Sequence, residues 1–561
     1  MSSKSCETVS DLSMMKIQPQ VHSSGKPLKR LLGVWVLFAA IFIYAGPMHA
    51  QNWSSGGPLS SLQQGFDVTF YDIQLEIHPE LQEISGTVTA HVFALEHDIN
   101  QVEFDLVNHF KVTAVRYSDS PLSFTHEQDK LVVDLPRKLG ANQIMPLEIS
   151  YSGAPPVAVR PPWQGGFTWA RDSEDRHWVS VSCQLEGAKL WLPAKDHPTS
   201  RADSVRIDVT VPKPYFVASN GLLELQEVVD EARQRFVWMT RYPIHNYNIN
   251  VTMGIFEEVR TAYLTEVGDE MPVVFYVLES YAHEGPQLLK MTLQKLYQLR
   301  AYYGEYAFTT EKFGLVHTPY LGMEHQTINA YGNDFEYTVI DDRPYDWLLL
   351  HEMGHEWWGN AVTVRDWADF WIHEGITTFT DALFLWDFYS PEVYYDKIRE
   401  YVGFIRNHQP IIPGTDVTSA EVYNHDVYYK GAWFMHTLMH VLGRDTFLEA
   451  MRSFAVSNRY GYTDTDAIRA YLQLYTEIPL APLFELYLYQ TDLPRFELHE
   501  VSDQTWAVYL SGAELTIPVE VRTSAGVQLI QLGTEAQHIH SQDKPVLDPQ
   551  FWYLTENLFD R

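Results

Sequence analysis

Leu348-Leu-Leu-His-Glu-Met-Gly-His-Glu-Trp-Trp-Gly-Asn360 opens on an apolar run of helical character and sets His351 and His355 one helical turn apart. Residues four apart share a helix face, so both imidazoles can reach one metal ion, while Glu352 stands beside them and can touch a water at that metal. Neutral imidazole nitrogen suits zinc. The plain alternative is a helix carrying two surface histidines. Against it stands Trp371-Ile-His-Glu-Gly-Ile-Thr-Thr-Phe379, a second helix-like segment that supplies Glu374 with eighteen residues between it and His355. Two His and one Glu leave a fourth zinc position open, as catalytic sites need and structural sites lack.

Outward from this pair of segments the hydrophobic period changes twice. Before it, Val68–Leu75, Gly86–Phe93, Lys130–Leu135 and Leu147–Tyr151 alternate as short strands, and from about Gly65 to Pro212 the chain reads as all-β. Near Pro286 the apolar residues of Leu288–Leu299 begin to recur at three- and four-residue steps. Helical patterns continue through Trp347–Asp387, Lys430–Leu442 and Asp445–Tyr489. Beyond Pro494 the chain returns to strands such as Leu515–Val521, Phe496–His499 and Val546–Tyr553. A chain of 561 residues exceeds one ordinary core, so a cleft between domains is expected.

Residues 1–50 read as a secretory leader, because Lys26, Lys29 and Arg30 precede an apolar run from Leu31 to Gly46, too short to span a bilayer comfortably, and Ala50 offers a small residue for cleavage. A secreted or periplasmic location follows, with no stable membrane span after cleavage; an uncleaved membrane anchor is the alternative. The Gly/Ser-rich Ser54–Ser61 reads as a linker behind it. The formal net charge is −32, and removing the leader takes away five basic and two acidic residues, which leaves the remainder more acidic still. Such a field repels nucleic acid and anionic membrane, so nucleic-acid binding is excluded as a function class. Of two cysteines, Cys6 lies in the leader and Cys183 is left alone, so no internal disulfide is expected.

With these residues in hand, the sequence resembles the aminopeptidase N family of gluzincins, which also includes the leukotriene hydrolases, and the likeness covers nearly everything after residue 60. Pro319-Tyr-Leu-Gly-Met-Glu-His325 resembles that family's G-x-M-E-N motif. The resemblance implies that Glu324 binds the substrate's α-ammonium group, that Gly322 and Met323 belong to the substrate edge, and that Tyr320 lines the pocket for the first side chain. Leu321 and His325 depart from the motif. Cys183-Gln-Leu-Glu-Gly-Ala-Lys-Leu-Trp-Leu-Pro193 is similar to the family's loop before its W-x-P segment and implies Gln184 as a second ammonium contact. Tyr428-Tyr-Lys-Gly-Ala432 resembles Y-x-K-G, in which the Tyr donates to the tetrahedral intermediate; this points to Tyr428, with Tyr429 and Tyr423 as rivals.

The resemblance implies an α+β multidomain fold: leader 1–50, linker 51–64, N-terminal β-sheet domain 65–256, thermolysin-like, mainly helical catalytic domain 257–493 and small C-terminal β-sandwich 494–561. It also implies a zinc-dependent aminopeptidase acting on peptides with a free N-terminus. One Zn2+ per chain would be held by His351, His355 and Glu374, with Glu352 as general base. A fourth, helical domain found in larger members is not foreseen after Gln490, so an open cleft is expected.

Three other readings weaken against particular residues. An inactive peptide-binding relative would be expected to lose a ligand or Glu352, an endopeptidase would lack Glu324, and nothing indicates the lipid tunnel of an epoxide hydrolase. His436 and His440 are also four apart, but Thr437 stands where a base would, so a half-buried helix face is expected there. His538 and His540 are expected to face solvent. Asn52-Trp-Ser54 and Asn250-Val-Thr252 fit glycosylation acceptors only in a secretory eukaryote.

Overall fold

A computed structural model describes residues 53–559. The expected leader lies outside these residues, and no helix among them is long and apolar enough to cross a membrane.

Period-two alternation builds the first sheet. In Phe66–His78, Tyr71, Ile73, Leu75 and Ile77 are buried, whereas Asp72, Gln74 and Glu76 keep contact with solvent, as expected where one sheet face is covered. Each such apolar side chain contributes about 1.5–3 kcal/mol when fully taken from water. This strand pairs antiparallel with Glu83–Ala94 and parallel with Ser204–Pro212. The full sheet runs Leu222–Val228, Arg233–Thr240, Ser204–Pro212, Phe66–His78, Glu83–Ala94, Ile144–Gly153, Phe110–Tyr117, Ser120–Pro121. A second, four-stranded sheet contains His177–Ser182, whose end delivers Cys183 and Gln184 toward the helical part of the molecule.

The Ser54–Ser61 stretch, expected as a linker, is pinned instead. Ser55 is buried; its N–H donates to Leu185 O at 2.8 Å, its carbonyl accepts from Ser419 N at 2.9 Å and its hydroxyl donates to Asp196 Oδ1 at 3.0 Å. Gly56 passes so near Trp367 that a Cβ there would lie 2.4 Å from Cδ1, at φ +78°, which only glycine accommodates. Small, polar composition does not free a segment whose backbone groups have found partners. Asn250 is likewise fully buried, which removes it as a glycosylation acceptor in the folded chain.

A five-stranded mixed sheet follows, in the order Phe256–Leu264, Glu270–Leu278, Phe313–His317, Asn329–Tyr331, Gly322–Met323. Helix α1 (Gly285–Tyr303) carries the expected period and packs so closely on this sheet that a Cβ on Gly285 would sit 2.7 Å from Val259. The helical pattern read from Trp347 to Asp387 is broken in two. Helix α2 (Trp347–His355) is capped by Asp346, whose carboxylate accepts from Leu349 N at 3.0 Å. The chain then turns through Gly359 at φ +132° and forms a short strand, Val362–Val364, before helix α3 (Trp371–Phe388). The return brings Glu374 back over the two histidines, which one straight helix could not do. Trp371 through Leu385 are all buried, so α3 is the central rod of the helical part. Helix α4 (Pro391–Tyr401) and helix α5 (His425–Leu442) pack on it, and α5 crosses α3 where Gly375 meets Gly431, so close that a Cβ on Gly375 would lie 2.8 Å from Val427 O and one on Gly431 3.0 Å from Gly375 Cα.

Two three-stranded sheets form the C-terminal part. Of the strand expected over Val546–Tyr553, only Val546–Leu547 is extended pairing. The Asp548 carboxylate accepts from Trp552 N at 2.8 Å and Tyr553 N at 2.9 Å and turns the chain, so that the Trp552 ring stacks on His436 at 4.5 Å and on His440 at 4.6 Å. His436 is therefore fully buried rather than half-buried. The pair fastens the C-terminal sheets to α5. His538 and His540 are exposed, as expected.

Candidate metal centre

Helix α2 places His351 Nε2 and His355 Nε2 3.2 Å apart, and Glu374 Oε2 from α3 lies 3.4 Å from the first and 3.3 Å from the second. These are the donors expected from sequence, and all lie within 4.8 Å of one another. Each ring has its outer nitrogen occupied. His351 Nδ1 donates to Asp381 Oδ2 at 3.1 Å and His355 Nδ1 to the Trp358 carbonyl at 3.0 Å. A carboxylate and a carbonyl only accept, so both Nδ1 atoms carry a proton and both Nε2 atoms, the donors a metal would use, face the carboxylate oxygen. Three electron-rich atoms converging on one point call for a cation. Electrostatics agree: burial disfavours charge on His355, yet Glu374 and Glu324 outweigh it and push the imidazole up to about 9. Burial likewise disfavours the Glu374 carboxylate, but the two imidazoles hold it well below the usual carboxylate range. Glu374 Oε2 has no hydrogen-bond partner among the described residues. Two imidazole nitrogens and one carboxylate oxygen fit zinc.

Asp381 carried no motif in the sequence. It lies two helical turns beyond Glu374 on the same face of α3, a spacing that could have revealed it. Because it fixes the His351 tautomer, Asp381→Asn is expected to weaken zinc binding about 10- to 100-fold while leaving the helix intact. Competition against a chelator of known affinity measures this, and unchanged affinity would remove Asp381 from the centre.

Glu352 is buried beside the ligands, and the edge strand Gly322–Met323 lies against it: a Cβ on Gly322 would come within 2.3 Å of Glu352 Oε1. Burial first, then the neighbouring carboxylates Glu324 and Glu374, push Glu352 up to about 8 against the pull of the histidines. The edge strand is held antiparallel to Asn329–Tyr331, with Gly322 opposite Tyr331 and Met323 opposite Ala330. The departures from the motif do not disturb this pairing. His325 turns into the interior, where burial depresses its imidazole to about 3 and keeps it neutral.

Gln184 joins the two carboxylates. Its Nε2 donates to Glu324 Oε1 in a short bond and to Glu374 Oε1 at 3.3 Å. Glu324 is held further by Asn360, whose Nδ2 donates to the Glu324 carbonyl at 3.0 Å, and by Tyr247, whose hydroxyl donates to Glu324 Oε1 at 3.1 Å. Tyr320 is fixed by its hydroxyl, which donates to Val181 O at 2.8 Å. Of the three rival tyrosines, Tyr428 on α5 has its ring stacked over His351 at 6.3 Å. Tyr423 meets Tyr428 edge-on at 6.1 Å, and Tyr429 turns to Phe404, 4.7 Å away.

Residues 68–247 match the peptidase M1 N-terminal domain and residues 300–487 the peptidase family M1 domain, together more than half of the chain. The chain belongs to peptidase family M1. Aminopeptidase N of Haemophilus influenzae is 22% identical over 413 residues, covering 70% of this chain and 46% of that protein. Aminopeptidase N of Escherichia coli is 24% identical over 407 residues, covering 69% and 45%. The chain thus spans less than half the length of these M1 relatives. Among solved structures, an M1 zinc metallopeptidase from Deinococcus radiodurans has a TM-score of 0.65 at 20% identity, covering 78% of this chain and 96% of that one. A substituted form of it bound to a Tyr-Ser-Ala substrate has a TM-score of 0.67 at 21% identity, covering 79% and 96%. The α+β architecture, with its β-rich N-terminal part and helical catalytic part, is that of M1 peptidases, and one zinc ion is the cofactor the family implies.

Proposed function

We propose that this M1 chain is a zinc-dependent aminopeptidase, hydrolysing the first peptide bond of peptides that present a free amino end. The observation that carries this is Gln184 bridging Glu324 and the metal-ligand candidate Glu374. A substrate ammonium bound at Glu324 and Gln184 is then tethered a few ångströms from the donors that hold the metal, so only the first peptide bond reaches them. Exopeptidase character is a matter of position.

Zinc on His351, His355 and Glu374 would supply Lewis acidity and lower the pKa of its water toward about 7. The chain's own residues do the rest. Glu352, whose raised proton affinity suits a base near neutral pH, takes the proton of the attacking water and returns it to the leaving amine. Tyr428, kept protonated by burial, donates its hydroxyl to the carbonyl oxygen as negative charge grows there. Gly322 and Met323 offer the edge along which the substrate backbone lies, and Tyr320 forms a fixed wall for its first side chain. The leader-like composition of residues 1–50 supports a secreted or periplasmic protein, with an N-terminal membrane anchor as the alternative.

The test compares a peptide with its N-acetylated twin by mass spectrometry, with and without chelator. Stepwise loss of amino-terminal residues from the free peptide alone, abolished by chelator, is expected. Equal cleavage of both peptides would refute amino-end recognition.

A further inference from the structure

We propose that Tyr247 is a positioning residue of the ammonium clamp, its hydroxyl fixing the Glu324 carboxylate in the orientation that receives the substrate's amino end. This rests on the reading of Glu324 and Gln184 given above. Tyr247 belongs to a short turn, Asn246–Asn248, in the N-terminal part of the chain and lies in no motif.

Its hydroxyl and the Gln184 amide converge on one atom, Glu324 Oε1, and Oε2 takes neither bond. A carboxylate can accept about four hydrogen bonds, so this arrangement orders the group and leaves its second oxygen for a charged donor. Gln184 supplies only one N–H to Glu324, because its amide nitrogen also donates to Glu374. The tyrosine is also held against swinging away. Its ring lies 4.6 Å from His245 and 5.9 Å from Trp367, its N–H donates to His245 Nδ1 at 3.4 Å, and its carbonyl accepts from Cys183 Sγ at 3.7 Å. Cys183 directly precedes Gln184, so both donors onto Glu324 are tied to one another through the backbone. Burial and the Glu324 charge hold the phenol well above its usual range, so it stays protonated and can only donate to the carboxylate.

Glu324 stands on an edge loop, and a glutamate there has three side-chain torsions to order. Nothing in the ring packing of Tyr247 uses the hydroxyl, so Tyr247→Phe removes one oxygen and keeps the aromatic contacts. The variant is expected to keep its zinc and its thermal midpoint. Its KM for a free-amine tripeptide should rise, and its preference for that peptide over the N-acetylated twin should fall about 10- to 100-fold, the loss typical of a hydrogen bond to a charged group. The same change made in a Glu324→Ala background should alter neither quantity further, since the acceptor of the Tyr247 hydroxyl is gone. A merely structural role would act equally in both backgrounds. Wild-type protein that discriminates, with a Tyr247→Phe variant that discriminates just as well, overturns this inference alone. Equal effects of Tyr247→Phe in the two backgrounds also overturn it. A wild type that does not discriminate overturns the clamp itself, and this inference with it.

Discussion

Glu374→Ala is expected to give a folded protein that loses its zinc on dialysis and, with it, all measurable turnover. The two imidazoles of α2 are preset by Asp381 and Trp358, but neutral nitrogens alone do not balance a divalent charge. Among the described residues, Glu374 is the one carboxylate grouped with both Nε2 atoms. Its removal subtracts a ligand and the negative charge together, and metal affinity is the sum of both. The fold should survive, because α3 is buried along its length by apolar neighbours and crosses α5 at Gly375 and Gly431 independently of the metal. Metal analysis after dialysis measures the outcome. Stoichiometric zinc retained by the variant would mean that the metal lies elsewhere.

Glu352→Gln separates chemistry from binding. Glu352 is adjacent in sequence to His351 yet contributes no donor to the three-atom cluster, so zinc content should match the wild type. Glutamine fills the same volume beneath Gly322 but cannot take a proton, and turnover should fall by at least about 10² to 10⁴-fold, the range for a positioned general base. KM should move little, because Glu324 and Gln184 are untouched. Normal turnover in this variant would show that another group accepts the proton.

These two variants touch the part of the centre that the sequence displays openly. A helix repeats every three or four residues, so His351, Glu352 and His355 announce their common face in a five-residue string, and Glu374 follows from a second helix-like segment. The N-terminal strands were legible for the same reason, since alternation in Phe66–His78 is written along the chain. What escaped are contacts that join distant positions without a local pattern. Tyr247 reaches Glu324 across 77 positions and Gln184 reaches Glu374 across 190, and only the second of these residues could be inferred, by likeness of a loop. The break after His355 was missed because Trp357, Trp358 and Val362 are as apolar as helix residues would be; the turn at Gly359 is a backbone requirement that hydrophobic period does not record. The Asp548 turn escaped similarly, since a strand-like composition continues through residues whose backbone N–H groups its carboxylate claims.

The seam made by Ser55 has a kinetic side. Its backbone nitrogen lies 3.1 Å from the Ser419 hydroxyl, 364 positions away, and the same residue bonds to Leu185 O. Leu185 follows Gln184, and Ser419 stands shortly before Tyr423 and Tyr428, so the seam ties together the segments that carry Gln184 and Tyr428. A chain is made from its amino end, and domains tend to fold as they emerge. Ser55 nevertheless cannot complete its bonds until Ser419 has been synthesised, and closing so long a loop carries an entropic cost that slows it. The sheet around Phe66–His78 can therefore assemble early while the residues just ahead of it wait, and the segments carrying Gln184 and Tyr428 are joined through Ser55 only once Ser419 has arrived.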